Sequence, residues 1–480
     1  MSFLETGLPS VAFQTLGCKL NQCETETIAA AFIKSGFAIT DDPRDAWLFV
    51  VNTCSVTSKA EQKGRGTIRA ALKQNPLCPV IVTGCYAEVD RAGLEALDAG
   101  NGEGRRLFVI PGTQKSRILD MPTMLAAEGM ESRAALRDAL ARICRVIPGG
   151  SKRPSGESAA FRFDAATPVL RSRAFLKIQD GCNNSCTYCL VRIARGPAQA
   201  LPEETVLERL CEAESAGAAE AVLTGVNIGQ WSGAAGRGLA ELIETLVSGT
   251  RELRIRLSSL EPDIFTEKFF AVLQNTRILP HFHISVQSGS VEILKRMGRF
   301  YEPEAVLDAI RRLREIKDDP FVACDMIVGF PGETERHFSE TYNFCESAGF
   351  AQIHVFPFSR RRGTAAWDYK PRVPEREAEK RVNILKNYAV LSRKRYVEKW
   401  VGRETGGICM SLPVEAAATA GAVNVLTDNY IRVSARLPDD SNLFPQKGRR
   451  INCIISAPVN NDRVNDGTTS LIDAYGKILI

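Results

Sequence analysis

The chain has 480 residues, of which 44% are hydrophobic and 24% are charged, which is typical of a globular protein with two or three domains and excludes a disordered or fibrous one. It has no run of about eighteen apolar residues and no basic, apolar secretory signal, so the sequence predicts a cytoplasmic protein that makes no use of a membrane. The 61 lysines and arginines exceed the 56 aspartates and glutamates by only five, which permits nucleic-acid binding without indicating it.

The first 112 residues alternate between short apolar runs and helical patterns. Such alternation predicts a parallel α/β sheet covered by helices on both faces. The predicted helices span 24–34, 59–73 and 89–97. The predicted strands span 10–16, 46–51, 79–82 and 107–110.

Three cysteines stand just beyond three of these strands. Cys18, Cys54 and Cys85 follow them in Gly-Cys, Thr-Cys and Gly-Cys settings. Because ligands bind beyond the carboxyl ends of parallel strands, the three thiols are predicted to lie along one edge and to share a metal centre. The alternative is that they are buried cysteines that only pack at the ends of core strands.

A C-x₃-C-x₂-C motif formed by Cys182, Cys186 and Cys189 follows the apolar run 174–178. Three thiolates this close suit an iron–sulfur cluster that keeps one iron without a protein ligand. A structural zinc site is the alternative, but it requires four ligands, and no fourth cysteine or histidine lies nearby in the sequence.

Five more apolar segments follow the motif, at 221–226, 253–257, 282–286, 321–328 and 353–356, with helical stretches between them. Together with 174–178 they predict a partial (βα)₆ barrel whose working face is the carboxyl-terminal rim. Beyond residue 400, short alternating segments predict a small antiparallel β barrel. The predicted domains are 9–120, a linker at 121–167, the partial barrel at 168–400 and the small barrel at 401–460.

The three-cysteine motif, with Tyr188 before its last cysteine, resembles the radical S-adenosylmethionine (SAM) superfamily. Together with Cys18, Cys54 and Cys85 in a leading α/β domain, the chain resembles the methylthiotransferases of that superfamily over nearly its whole length. The resemblance implies two [4Fe-4S] clusters, SAM as cofactor and a TRAM-like RNA-binding barrel at the end. It also implies that Tyr188 lies near the adenine of SAM and that three further residues surround this cofactor: Gly225, Ser259 and Gln287.

Within this family, Gly17-Cys18-Lys19-Leu20-Asn21-Gln22 and the segment 354–364 are most similar to the group that acts on threonylcarbamoyladenosine. Cys23 stands where a tyrosine is more usual in the family, but only Cys18 has the Gly-Cys strand-end setting, and it is the favoured ligand. The resemblance implies three partners: the tRNA anticodon loop, an electron donor such as a flavodoxin-type reductant, and a sulfur donor.

Two alternatives stay open. The first is the same chemistry on isopentenyladenosine in tRNA or on an aspartate of a ribosomal protein. The second is a non-catalytic iron–sulfur protein that binds RNA or senses redox state, although such a protein has no need of an open iron and a complete barrel rim.

Overall fold

The computed structural model describes residues 9–98, 105–128, 132–146, 159–165, 168–410, 422–437, 445–459 and 472–479. The chain forms two compact units. Unit 1 contains Met1–Ala165, Lys177–Asn184 and Cys189–Leu201, and unit 2 contains Ala166–Leu176, Ser185–Tyr188 and Pro202–Ile480.

The strands and helices are numbered in chain order. The strands are β1 (Ser10–Thr15), β2 (Ala38–Ile39), β3 (Leu48–Thr53), β4 (Val80–Gly84), β5 (Leu107–Val109), β6 (Asp164–Ala165), β7 (Ala174–Lys177), β8 (Gln179–Asp180), β9 (Gln199–Ala200), β10 (Glu220–Thr224), β11 (Arg254–Leu257), β12 (Ser259–Leu260), β13 (His281–Gln287), β14 (Phe321–Val328), β15 (Gln352–Pro357), β16 (Glu404–Cys409), β17 (Ala422–Thr427), β18 (Arg432–Arg436), β19 (Arg450–Pro458) and β20 (Ala474–Leu479). The helices are α1 (Lys19–Lys34), α2 (Ser58–Gln74), α3 (Cys85–Val89), α4 (Arg91–Glu95), α5 (Met121–Glu128), α6 (Arg133–Val146), α7 (Val191–Arg195), α8 (Glu203–Ser215), α9 (Leu239–Gly249), α10 (Glu267–Leu273), α11 (Val291–Arg296), α12 (Pro303–Ile316), α13 (Glu335–Ala348) and α14 (Glu375–Glu398).

Unit 1 is built on a five-stranded sheet in the order β2-β1-β3-β4-β5, and its strand pairs are parallel. Every residue of β3 and β4 is buried, as expected for central strands whose two faces are both covered. Apolar residues fill a core on each face of the sheet. The predicted parallel α/β sheet is therefore confirmed.

Helices α5 and α6 lie in the range predicted as a linker. Their apolar residues Leu125, Leu136 and Leu140 are fully buried in one of the two cores of unit 1. This part of the range therefore stabilises unit 1 by burying apolar surface. The Gly- and Ser-rich stretch 147–158 lies outside the described residues, and the exact domain boundaries stay a prediction.

Unit 2 contains the predicted partial barrel. Its strands form two groups, β11-β10-β7 and β12-β13-β14-β15. The pairs β10–β11, β12–β13, β13–β14 and β14–β15 are parallel. The six predicted strands are all present, and the third is interrupted after Leu257 so that it continues as β12. The carboxyl ends of these strands carry the loops that the sequence marks as the working rim.

A closed barrel of β16-β17-β18-β20-β19 completes unit 2. Its core includes Tyr396 of α14 and Trp400, just beyond that helix, which pack with Phe321 of β14. The predicted small barrel is therefore confirmed, but it is not wholly antiparallel, because β18 pairs with β20 in parallel. Strand β20 also lies beyond residue 460, where the predicted range ends, and the Ala-rich stretch 411–421 is outside the described residues.

None of the helices in the described part of the chain combines the length and the apolar character that crossing a membrane requires.

Candidate active site

Three cysteines lie at the carboxyl ends of three adjacent strands in unit 1. Cys54 directly follows β3, Cys85 directly follows β4, and Cys18 comes shortly after β1. Because these strands are parallel neighbours in the order β1-β3-β4, the three residues lie along one edge of the sheet. The structure places them where the strand-end pattern predicts.

Two glycines form the turns that lead from β1 to Cys18 and from β4 to Cys85. Gly17 has a φ of +98° and Gly84 a φ of +103°, a backbone conformation that favours glycine. A Cβ atom on Gly17 would lie 2.7 Å from Cβ and 2.9 Å from Sγ of Cys54. A Cβ atom on Gly84 would overlap the carbonyl oxygen of Thr53 and lie 2.6 Å from its amide nitrogen. The missing side chains therefore let both turns pack closely against the end of β3.

Gly84→Ala is expected to impair the cysteine edge, because the added Cβ forces the backbone of Thr53 away and displaces its neighbour Cys54. We expect the iron content of the reconstituted protein to fall to about half, as one of two clusters is lost. Gly36→Ala is the matched control, because Gly36 has a φ of +86° but nothing within 4 Å of an added Cβ. Iron and sulfide analysis of both variants makes the test, and equal iron contents would show that the close approach at Gly84 is unimportant.

The thiol of Cys54 is buried among polar partners and other thiols. Its Sγ accepts a hydrogen bond from the amide of Val56, with N and Sγ 3.5 Å apart. Burial, followed by the neighbouring thiols of Cys18 and Cys85, raises the pKa of Cys54 to about 12. The three sulfur atoms are thus close enough to interact electrostatically. Three sulfur donors at one sheet edge fit the thiolate ligands of an iron–sulfur cluster.

A buried network of five ionisable side chains adjoins this edge. Glu24 of α1 pairs with Lys115, with Lys177 (Nζ–Oε1 3.1 Å) and with Arg195 (Nη1–Oε1 2.9 Å). Asp180 also pairs with Lys177 and Arg195. Burial would raise the pKa of Glu24, but the charges of Arg195, Lys115 and Lys177 outweigh it and hold that pKa well below its usual range. Three cations facing two carboxylates leave one positive charge in excess within this network.

The same network lines a cavity of about 340 Å³ within unit 1. Cys85, Lys115 and Arg195 contribute polar atoms to its wall, and Phe161 and Phe163 contribute an apolar part. This combination of a thiol, cations and aromatic rings suits a small anionic group beside Cys85.

In unit 1, two cysteines of the C-x₃-C-x₂-C motif accept backbone hydrogen bonds. The amide of Asn184 donates to Sγ of Cys182 and the amide of Val191 donates to Sγ of Cys189, both at 3.4 Å. Hydrogen bonds of this kind stabilise negative charge on sulfur and tune the potential of an iron–sulfur cluster. Gly181, with a φ of +70°, forms the turn that leads into Cys182.

In unit 2, the remaining cysteine of the motif, Cys186, contacts a buried arginine. Nη1 of Arg299 lies 3.6 Å from Sγ of Cys186. Arg299 is 5% exposed and also donates to the carboxylate of Glu261 and to the carbonyl of Ser285. Arg299 is thereby fixed with a hydrogen-bond donor directed at the sulfur of Cys186.

The loop around Tyr188 is held by backbone hydrogen bonds within unit 2. The amide of Thr187 donates to the carbonyl of Met297 at 2.9 Å, and the carbonyl of Thr187 accepts from the amide of Ala366 at 2.8 Å. The ring of Tyr188 meets Phe330 edge to face, with centroids 6.4 Å apart. The half-buried Tyr188 is therefore fixed at a defined position, and its contact with adenine stays a prediction.

The other predicted cofactor residues lie near the carboxyl ends of barrel strands. Gly225 directly follows β10, Ser259 begins β12, and Gln287 ends β13. Gln287 has a φ of +73°, and the pairing of β13 with β14 shifts register just before it. A left-handed backbone at a residue other than glycine is strained, and such strain is concentrated at functional sites. The cofactor contacts of all three residues stay a prediction.

The sequence analysis assigned no role to Lys115, Lys177 or Arg195. A signal was present for Lys177, because it interrupts the apolar run at 174–178 and a lysine is rarely buried without a partner. The sequence does not indicate which acid would pair with it.

Comparisons with known proteins agree with this geometry. The profile of the Radical SAM superfamily matches residues 176–345, and that of Uncharacterized protein family UPF0004 matches residues 10–101. Threonylcarbamoyladenosine tRNA methylthiotransferase MtaB of Treponema pallidum (strain Nichols) is 38% identical over 88% of this chain and 93% of its own length. The protein of the same name from Bacillus subtilis (strain 168) is 34% identical over 90% of this chain and 92% of its own length.

Among solved structures, the radical S-adenosylmethionine methyltransferase TsrM from Kitasatospora setae, with cobalamin and a [4Fe-4S] cluster bound, has a TM-score of 0.50. It is 15% identical and covers 75% of this chain and 77% of its own. This likeness supports the fold alone.

Proposed function

The chain belongs to the methylthiotransferase family of the radical SAM superfamily, and from this premise we propose that it inserts a methylthio group at C2 of N6-threonylcarbamoyladenosine at position 37 of tRNA. The observation that carries the proposal is the 38% identity to threonylcarbamoyladenosine tRNA methylthiotransferase MtaB of Treponema pallidum (strain Nichols), across 93% of that protein's length. The segment from Gly17 to Gln22 supports the same substrate.

In this proposal, Cys18, Cys54 and Cys85 hold one [4Fe-4S] cluster, and the C-x₃-C-x₂-C motif holds the other. When bound, the two clusters and SAM supply the electron, the radical, the sulfur and the methyl group of the reaction. Tyr188, Gly225, Ser259 and Gln287 are proposed to surround SAM. The cysteines of the motif are Cys182, Cys186 and Cys189.

The residues of the chain itself provide positions and charges in this reaction. The carbon–hydrogen bond at C2 has no useful acidity, so a general base cannot activate it. Arg299 holds its positive charge against the sulfur of Cys186, and the network around Glu24 places Arg195 and Lys115 on the wall of the cavity beside Cys85. These residues act by orientation and electrostatics.

The small barrel of unit 2 is proposed to contact tRNA, as a TRAM-like domain would. The basic run 360–362 contributes less than its charge indicates, because Arg361 is buried and the guanidinium of Arg360 stacks 3.7 Å from the ring centre of Trp367. In a second basic stretch, 394–399, the side chain of Lys399 lies 3.8 Å from a carboxylate oxygen of Asp319. We therefore propose that the small barrel, rather than this basic run, contacts the phosphates of tRNA.

A flavodoxin-type reductant and a sulfur donor are proposed as partners, because the chemistry consumes electrons and sulfur. A tRNA substrate and oxygen-sensitive clusters suit the reducing cytoplasm, where we place the protein.

Cells that lack this protein are expected to lose 2-methylthio-threonylcarbamoyladenosine from tRNA and to accumulate its unthiolated precursor. Mass spectrometry of tRNA nucleosides from deleted and complemented cells makes the test. Loss of a methylthio-isopentenyladenosine instead would reassign the substrate. A profile unchanged in every methylthio nucleoside would contradict a tRNA substrate and direct attention to ribosomal proteins.

A further inference from the structure

Three metal-binding side chains converge on neighbouring barrel strands in unit 2. They are His283 of β13, Asp325 of β14 and His354 of β15, and one potential ligand atom from each lies within 4.8 Å of the others. The backbone fixes this arrangement, because His283 pairs with Ala323 and Asp325 pairs with His354 in adjacent parallel ladders. Residues that are directly paired or two apart project to one face of a sheet, so all three side chains share a face.

The orientation of His283 is that of a metal ligand. Its Nε2 lies 3.1 Å from Oδ1 of Asp325, yet this nitrogen makes no hydrogen bond within the described chain. On the other side of the ring, Nδ1 lies 3.3 Å from Oγ of Ser259. A histidine that binds a metal through Nε2 keeps its proton on Nδ1 and donates it to such an oxygen.

We propose that His283, Asp325 and His354 bind a divalent transition-metal ion of the Zn²⁺ or Fe²⁺ class. Two imidazole nitrogens and one carboxylate oxygen suit these ions, whereas Mg²⁺ and Ca²⁺ prefer oxygen ligands alone. This site lacks cysteine, which separates it from the two thiolate clusters.

Three protein ligands leave coordination positions open. His354 is exposed, and the other two ligands are half-buried, so the open positions are accessible to a further ligand. An anionic oxygen group suits such a position. If the proposed function holds, the carboxylate of the threonylcarbamoyl group is a ligand of this class; this role rests on that function, but the metal site does not.

The test is equilibrium dialysis of the anaerobically purified holoprotein against Zn²⁺, followed by measurement of zinc and iron per chain. We expect wild type to bind one Zn²⁺ with its iron content unchanged, and His354→Gln and Asp325→Asn to lose this zinc. Ser259→Ala is expected to weaken Zn²⁺ binding by about 10–100-fold, since it removes only the partner of Nδ1. X-ray absorption at the zinc edge is expected to show nitrogen and oxygen neighbours at about 2.0–2.2 Å, not sulfur at about 2.3 Å.

His337→Gln is the matched control. His337 also pairs with a carboxylate, with Nε2 2.9 Å from Oε2 of Glu292, but it belongs to no such three-ligand group among the described residues. This variant is expected to keep the zinc. Sulfur neighbours around zinc, or equal zinc binding by wild type and His354→Gln, would refute the site. Failure of the proposed function would appear instead in the tRNA nucleosides, so the two results are distinguishable.

Discussion

Replacing Cys54 with alanine is expected to abolish methylthiolation while SAM is still cleaved to 5′-deoxyadenosine, whereas Cys182→Ala is expected to abolish both. Cys54 lies at the end of β3 on the sheet edge of unit 1, in the ligand set that we assign to sulfur transfer. In the proposed reaction, SAM cleavage needs only the cluster of the C-x₃-C-x₂-C motif. Anaerobic assays with a strong reductant, which quantify 5′-deoxyadenosine and the methylthio nucleoside in the same sample, separate the two effects.

Cys23→Ala is the control for this pair of variants. Cys23 is a fully buried cysteine of α1, five positions from Cys18, and it is not at a strand end. We expect the variant to retain both activities. Full methylthiolation by Cys54→Ala would refute the N-terminal ligand set, and loss of iron from Cys23→Ala would move the ligand role from Cys18 to Cys23. Absence of 5′-deoxyadenosine from wild type with both clusters intact would favour a non-catalytic iron–sulfur protein.

The sequence predicts the strands well because central parallel strands are buried on both faces. Such strands are short apolar runs with turn residues at their ends, as in Val80–Gly84, and this pattern survives without knowledge of tertiary contacts. The cysteines are recognisable for the same reason, since each follows such a run. Their shared sheet edge then follows from topology alone.

The start of α1 shows why other features could not be predicted. The sequence pattern indicates a helix from residue 24, but the helix begins at Lys19. Its first turns include Asn21 and Glu24, which are polar yet buried, so the apolar periodicity that marks a helix is absent there. Their burial depends on partners far away in the sequence: Lys115 is 91 positions from Glu24, and Arg195 is 171 positions from it.

The sequence does not indicate strand β20, and the reason is different. Tyr475 and Lys477 are exposed, and Gly476 has no side chain that could mark the buried face. A Cβ on Gly476 would lie 2.6 Å from the carbonyl oxygen of Ile454, so the glycine is required by the close packing of β20 on β19. Only the folded barrel gives this segment its strand partners.

Glu24→Gln is expected to lower the free energy of unfolding by about 3–5 kcal/mol, because removal of one partner leaves buried charges uncompensated. Glu24 is 2% exposed and faces Lys115, Lys177 and Arg195, so the neutral amide leaves three cations with the carboxylate of Asp180 alone. Urea unfolding followed by far-UV circular dichroism measures the change. The matched control is Glu128→Gln in the same unit, because Glu128 pairs with an arginine at the exposed surface and its loss should change stability little.

The pH dependence of the stability difference between wild type and Glu24→Gln shows whether the loss of charge or a disturbance of packing causes it. The pKa of Glu24 in the folded protein is held well below its ordinary value of 4.5, so its ionised form contributes stability that is fully present above pH 4.5 and is lost as the pH falls through the folded pKa. The difference in unfolding free energy between wild type and Glu24→Gln should therefore be constant near neutral pH and should narrow below pH 4.5. In that range the carboxyl takes up a proton in the unfolded chain while it stays ionised in the folded protein, so the wild type loses the stability that the variant lacks. A gap that stays constant through this range would mean that the variant disturbs packing, and that the ion pairs around Glu24 contribute no net stability.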